Sequence, residues 1–166
     1  MYIDDDHLYH GSALFQIAEH PQFTAINSLK VKGEVVRAAY KINDHIAVYL
    51  KYAAKPHGTY KEYVFTFRKD HLETIESISE ANPQTFIALV CVKGRQICCL
   101  TAEQLTNLIQ RRETEAGKAE DQYTILVTMP KGKSMRVYVN HPGKKKTMLG
   151  KSLIVSRNAF PDALFG

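Results

Sequence analysis

The chain has 166 residues, 45% hydrophobic and 23% charged, the composition of one globular domain able to bury a core without a metal or disulfide. No apolar run approaches the roughly eighteen residues of a membrane span, and the acidic start MYIDDDHLYH lacks a secretory signal's basic and apolar stretches, so a cytosolic protein without membrane contacts is expected. The formal charge of +5 is uneven: residues 126–166 hold Lys131, Lys133, Arg136, Lys144, Lys145, Lys146, Lys151 and Arg157 against Asp162 alone, while the first 125 residues hold slightly more acidic than basic side chains.

In chain order, residues 1–10 read as a loosely ordered acidic lead-in. A helical pattern starts at Gly11, with Ser12 as its N-cap and Leu14, Ile17 and Ala18 on one face, and Pro21 interrupts it. A second short helical turn is expected over 23–28. Residues 29–42 fit either a strand or a helix face, and strand is favoured for their end because Asn43-Asp44 reads as a turn. The next stretch, 45–53, alternates Ile46, Val48 and Leu50 with Ala47, Tyr49 and Lys51, a clear strand. Another is expected at 60–67, after the breaker residues Lys55-Pro56-His57-Gly58. A helix follows from Asp70 to about Ser79.

The nearly continuous apolar run TFIALVCV at 85–92 predicts a central strand covered on both faces. Lys93-Gly94 turns the chain into a partner strand over 95–100. Thr101 caps a helix over 102–112, and Glu103 sits too early to complete a capping box. Residues 113–121 read as a mobile linker loop. Strands at 123–129, 135–140 and 147–156 complete the chain, the last two separated by a lysine-rich loop. The predicted fold is α+β, a single domain over 1–166 with a mixed, mostly antiparallel sheet of about six or seven strands and three or so helices. Its core is expected from 45–53, 60–67, 85–92 and 95–100.

Cys91, Cys98 and Cys99 lie inside apolar runs. A Cys91–Cys98 bridge fits across a hairpin, but buried free thiols are expected, and Cys98 and Cys99 must face opposite sides of their strand. GKKKTMLGKS at 143–152 imitates a phosphate-binding loop. It has six residues between its glycines instead of four and continues as a strand instead of a helix, which removes the amide donors and the dipole a phosphate needs. His7 and His10 beside Asp4, Asp5 and Asp6 lack the paired spacing of a metal cage. Pairing Cys91 with His71 or His45 as a dyad conflicts with its mid-strand position. No cofactor is implied.

A metal-dependent nuclease of restriction-endonuclease-like type would need paired carboxylates with a lysine two residues on. Glu34, Asp44, Glu62 and Lys51 are its candidates, but Tyr49 stands two before Lys51 and Val64 two after Glu62. The stretches HGSALFQIAEHPQFTAIN (10–27), YKINDHIAVYLKYA (40–53), YVFTF (63–67), FIALVCV (86–92), ICCL (97–100) and AFPDALF (159–165) together resemble an uncharacterised bacterial family of small proteins found among mobile elements and DNA-defence genes. That resemblance implies no settled active site. Asn43, Lys51, Thr66 and His71 are the polar residues embedded in it.

The expected function is therefore a non-enzymatic nucleic-acid-associated or interaction module. Its contacts with DNA or RNA phosphates fall to Lys131, Lys133, Arg136, Lys144, Lys145, Lys146, Lys151 and Arg157, interleaved with Tyr138 and His141. The alternatives are the nuclease and an oligomeric accessory protein that pairs with its own copy through sheet edges.

Overall fold

A strand alternating apolar side chains on both faces needs a core on each side, and the computed structural model, which describes residues 1–166, is built around such a strand at Ile46–Ala53. The elements run α1 (Asp5–Glu19), β1 (Ile26–Val31), β2 (Glu34–Ile42), β3 (Ile46–Ala53), β4 (Tyr63–Arg68), α2 (Lys69–Ala81), β5 (Gln84–Cys91), β6 (Gln96–Thr101) and α3 (Ala102–Ala116). Then come β7 (Gln122–Thr128), β8 (Met135–Tyr138), β9 (Asn140–His141), β10 (Lys144–Met148), β11 (Leu153–Val155) and α4 (Asp162–Phe165). No helix is long and apolar enough to cross a membrane.

The fold is α+β, as expected, but its strands do not share one sheet. Five form a mixed sheet in the order β1-β2-β3-β5-β6, four form a second in the order β11-β8-β7-β4, and β9 and β10 make a separate ribbon. In the first sheet β3 and β5 are parallel, in register from Ile46↔Gln84 to Ala53↔Cys91. Parallel neighbours need a long crossover. That crossover carries β4, which leaves to pair with β7 from Tyr63↔Val127 to Arg68↔Gln122. Residues 60–67 thus do not join the sheet of their neighbours, contrary to the sequence expectation.

Each face of the five-stranded sheet has its own core. Ile46, Val48 and Leu50 of β3, with Ala88, Val90, Ile97 and Cys99, pack against Ala13 and Ile17 of α1 and Leu164 of α4. His20, just past α1, stacks on Phe165 at 4.1 Å and its Nε2 lies 3.1 Å from Asp162 Oδ1, tying the two helices together. On the opposite face Ala47, Tyr49, Ile87, Leu89, Cys91 and Cys98 meet α2, α3 and the inner side of the four-stranded sheet. Cys98 and Cys99 therefore do face different cores. All three thiols are free and buried, and burial pushes those of Cys91 and Cys99 up to about 12.

Several boundaries differ from expectation. α1 begins inside the supposed lead-in, because Asp4, not Ser12, caps it: the His7 N–H donates to Asp4 Oδ1 at 2.9 Å, and the Asp4 N–H donates to His7 Nδ1 at 3.1 Å. The bond from the His7 amide also holds the Asp4 carboxyl below its ordinary range. Residues 23–28 contain no helical turn and run into β1. The capping box of α3 is closed by Gln104, whose Oε1 accepts from the Thr101 N–H at 3.0 Å. That helix continues through residues 113–116 of the supposed linker and ends where Gly117 takes the left-handed conformation, φ 73°. The last expected strand is broken into β10 and β11 by a bend at Gly150-Lys151-Ser152.

Candidate nucleic-acid interface

The alternation along β4, β7 and β8 sends Tyr63, Phe65, Phe67, Tyr123, Ile125, Val127, Met135 and Val137 into the core. It turns the intervening side chains to the opposite face of the four-stranded sheet. On that outer face Val64 pairs with Leu126 and Leu126 with Tyr138, while Arg136 lies beside Thr128 and Ile154. The buried apolar side chains of all four helices belong to the two cores, so this face has no helical cover. Val64 and Ile154 are exposed there, while Leu126 and Tyr138 between them are buried.

One end of the open face is walled by the β9–β10 ribbon. Its register jumps from Lys144↔His141 to Met148↔Asn140, which leaves 145–147 as a bulge with no partners on β9. Lys146 sits in the bulge with φ 63°. A bulge re-aims side chains, and Lys146 and Met148 line a cleft of about 670 Å³ together with Tyr60, Lys61, Lys131 and Arg136. Tyr60 is 60% exposed, so its ring is accessible from the cleft. Glu62 also lines the cleft and is engaged: its Oε2 accepts from the Tyr138 hydroxyl. Burial, and then this carboxylate, drive the Tyr138 phenol upward, so it stays a neutral donor.

The predicted basic set divides three ways. Lys131, Arg136 and Lys146 converge on the cleft, where Lys61 joins them from the β3–β4 connection. Lys133, Lys144, Lys145 and Lys151 are exposed but do not line it. Arg157 acts within the fold instead. Its Nε donates to the Lys133 carbonyl at 2.6 Å, Nη2 to the Pro130 carbonyl at 2.6 Å and Nη1 to Gln96 at 3.3 Å. Every ion pair of the chain uses a histidine or an arginine, so no lysine is neutralised by a carboxylate.

Two further arginines fix the loops that carry these lysines. Arg112 binds Glu120 at 2.6 Å and donates to the Asn140 carbonyl at 2.7 Å; Arg111 donates to the Lys151 carbonyl at 2.8 Å. The Arg111 side chain lies 3.3 Å from where a Cβ on Gly150 would be, and Gly150 has φ 71°, so this bend requires glycine. No helix follows it, and GKKKTMLGKS forms no phosphate loop. Arg157→Met is expected to lower stability by about 2 kcal/mol, because three acceptors lose a charged donor. Chemical denaturation measures that loss, and oligonucleotide affinity of the folded variant should stay within about threefold of the parent.

The weak catalytic candidates are dispersed. Asp44 lies exposed in the β2–β3 turn, Glu62 in the basic cleft, and Lys51 and His71 together in a second cleft. Nowhere do three His, Cys, Asp or Glu side chains gather as a metal-ligand group, so Asp44, Glu62 and Lys51 do not form the constellation a nuclease of that type would use. Asn43 is a latch: its Oδ1 accepts from the Thr24 N–H at 2.7 Å and its Nδ2 donates to the Gln22 carbonyl at 2.6 Å.

Lys51 and His71 are in contact. The Lys51 ammonium donates to the Thr66 carbonyl at 2.7 Å, lies 3.4 Å from His71 Nδ1 and sits 4.9 Å from the Phe67 ring centre. His71 Nδ1 also accepts from the Arg68 N–H at 3.3 Å, which leaves the proton of the neutral ring on Nε2. Burial is the largest cause lowering both groups, and the nearby Arg68 lowers them further. Neither protein-family models, curated proteins nor solved structures give a match to the chain.

Lys61 and Tyr60 were not legible as site residues because they stand in a turn far in sequence from the basic third. Their one signal is a lysine beside an aromatic in a segment of Gly and Thr.

Proposed function

We propose that this protein binds single-stranded nucleic acid without chemistry of its own, laying phosphates along the basic cleft and bases over the open sheet face. The observation that carries this is the convergence of Lys61, Lys131, Arg136 and Lys146 around the exposed Tyr60, with no carboxylate paired to any of the lysines. Uncompensated cations attract a phosphate backbone, and an accessible ring at the rim of a cleft on a sheet face without helical cover suits unstacked bases better than a closed duplex. Backbone contacts of this kind imply no base-specific readout. The role agrees with the proposed kinship to small bacterial proteins of mobile elements and DNA defence, and with a cytoplasmic site of action.

The test is fluorescence anisotropy with labelled single- and double-stranded oligonucleotides between low and physiological salt. Four phosphate contacts give a slope of log affinity against log salt of about −3 on a single strand. Salt-insensitive binding, or preference for the duplex, would overturn the proposal.

A further inference from the structure

The second cleft exists because β2 leaves β3 early. Their pairing runs from Ile42↔Ile46 only to Ala39↔Tyr49. At Ala38 the backbone turns to φ 67° and the strand peels away. Residues 50–53 of β3 therefore keep β5 as their strand partner on one side and face an opening of about 470 Å³ on the other. Lys51, Arg37, Arg68, His10, His71 and Tyr52 line it.

This cleft has an excess of cations. Lys51 is half-buried, and its partners are a carbonyl oxygen, an imidazole nitrogen and a ring face; none is a carboxylate. A desolvated ammonium is stable only with a counter-charge or good hydrogen bonds. One of its three N–H groups is placed by Thr66, and the His71 Nδ1 at 3.4 Å already accepts from the Arg68 N–H, so donors remain for a ligand. Arg37 contacts Asp6 at 3.2 Å yet is 83% exposed, so most of its five donors are open. Arg68 is paired with Asp70 at 3.0 Å on the far rim. His10 also lines the cleft: it is 9% exposed and its ring packs edge-on against Tyr52 at 5.3 Å, with Nε2 turned away from the opening and buried.

We propose that this cleft is a binding site for a phosphate monoester group, held by Lys51 with Arg37, with His71 and His10 in its walls. A phosphate offers several strong acceptor oxygens and up to two negative charges, matching one half-buried ammonium and one open guanidinium that line the same cleft. The group has two sources, a free small phosphate ester or the terminal phosphate of a nucleic-acid strand. The second is geometrically natural, because Val64, Thr66 and Arg68 of this cleft project from one face of β4, and Glu62 of the basic cleft immediately precedes that strand. Binding of the free anion does not rest on the nucleic-acid proposal.

Inorganic phosphate is titrated into the full chain at constant ionic strength, with the ring signals of His10 and His71 followed by NMR. Both signals should move saturably, and both histidines should titrate at higher pH with phosphate bound, since the anion opposes Lys51, Arg37 and Arg68 and adds to Asp6 and Asp70. Lys51→Met should weaken binding at least about tenfold, the effect of one charged hydrogen bond. Lys51→Arg keeps the charge and should retain part of it, which separates loss of the site from loss of the fold. Lys93→Gln with Lys118→Gln, exposed lysines that line neither cleft, should leave the histidine response to phosphate unchanged. Oligonucleotides with and without a 5′ or 3′ phosphate then identify the source. A gain from the terminal phosphate points to a strand end, and equal affinities point to a free ester. Absence of any saturable histidine shift, or an equal shift in Lys51→Met, would overturn the proposal.

Discussion

Phe67→Ala is expected to lower the free energy of unfolding by about 3–5 kcal/mol, the range for a buried aromatic whose cavity cannot collapse. Phe67 is fully buried in the larger core and stands opposite Tyr123 on β7. It comes from the strand that leaves the first sheet for the second, so its ring joins the two. Neighbouring side chains cannot close the gap without shifting one sheet against the other. The ring also lies under the Lys51 ammonium. Its loss should therefore weaken phosphate binding in the second cleft as well as stability. Urea denaturation followed by circular dichroism measures the first effect. Val64→Ala is the control, since Val64 is 39% exposed on the outer face of the same strand; a change within about 1 kcal/mol is expected there. Equal losses in the two variants would mean that the sheets are not joined as described.

Replacing Lys61, Lys131 and Lys146 together by glutamine is expected to weaken single-strand binding about 100-fold or more at 50 mM salt, and to flatten the salt slope by about 2. Each lysine neutralises one phosphate and releases its counterions, so affinity and salt dependence must fall together. Arg136 is left in place because its guanidinium donates to the Ser134 carbonyl at 2.9 Å and shapes its own strand. The matched control changes Lys30, Lys32 and Lys41, the same charge removed from the β1–β2 hairpin of the other sheet. Only general electrostatics would make the two triple variants equal, and that result would remove the cleft from the account.

The local elements were legible wherever a short-range rule decides them. Alternation at Ile46, Val48 and Leu50 identified β3 and both of its faces, and the apolar run at 85–92 identified β5 as covered on both sides. The opposite orientations of Cys98 and Cys99 follow from the period of a strand. Misplaced boundaries have equally local causes. Asp4 and His7 close a capping box that an acidic, His-rich start disguises, and Gln104 does for α3 what Glu103 is placed too early to do. A three-residue bulge at 145–147 has no sequence signature beyond its lysines.

The candidate sites were only half legible. Residue type marked Lys131, Arg136 and Lys146 as cations, but it marked Arg157 in the same way, and the fold employs Arg157 as a brace. Lys51 and His71 stood out as polar residues within apolar stretches, whereas His10 was weighed only as part of a rejected metal cluster and Arg37 lay in an ambiguous stretch.

What the sequence determined by itself is the class of fold, the faces of its central strands, the burial of its thiols and the basic excess of its last third. All of these depend on residue type and on periods of two or about four residues. The tertiary structure alone decided that β4 belongs to the second sheet, that β2 parts from β3, and which cations share a cleft. Those outcomes depend on pairing between distant strands, where a register shift of one residue would turn Lys51, Arg136 and Tyr138 to the opposite faces.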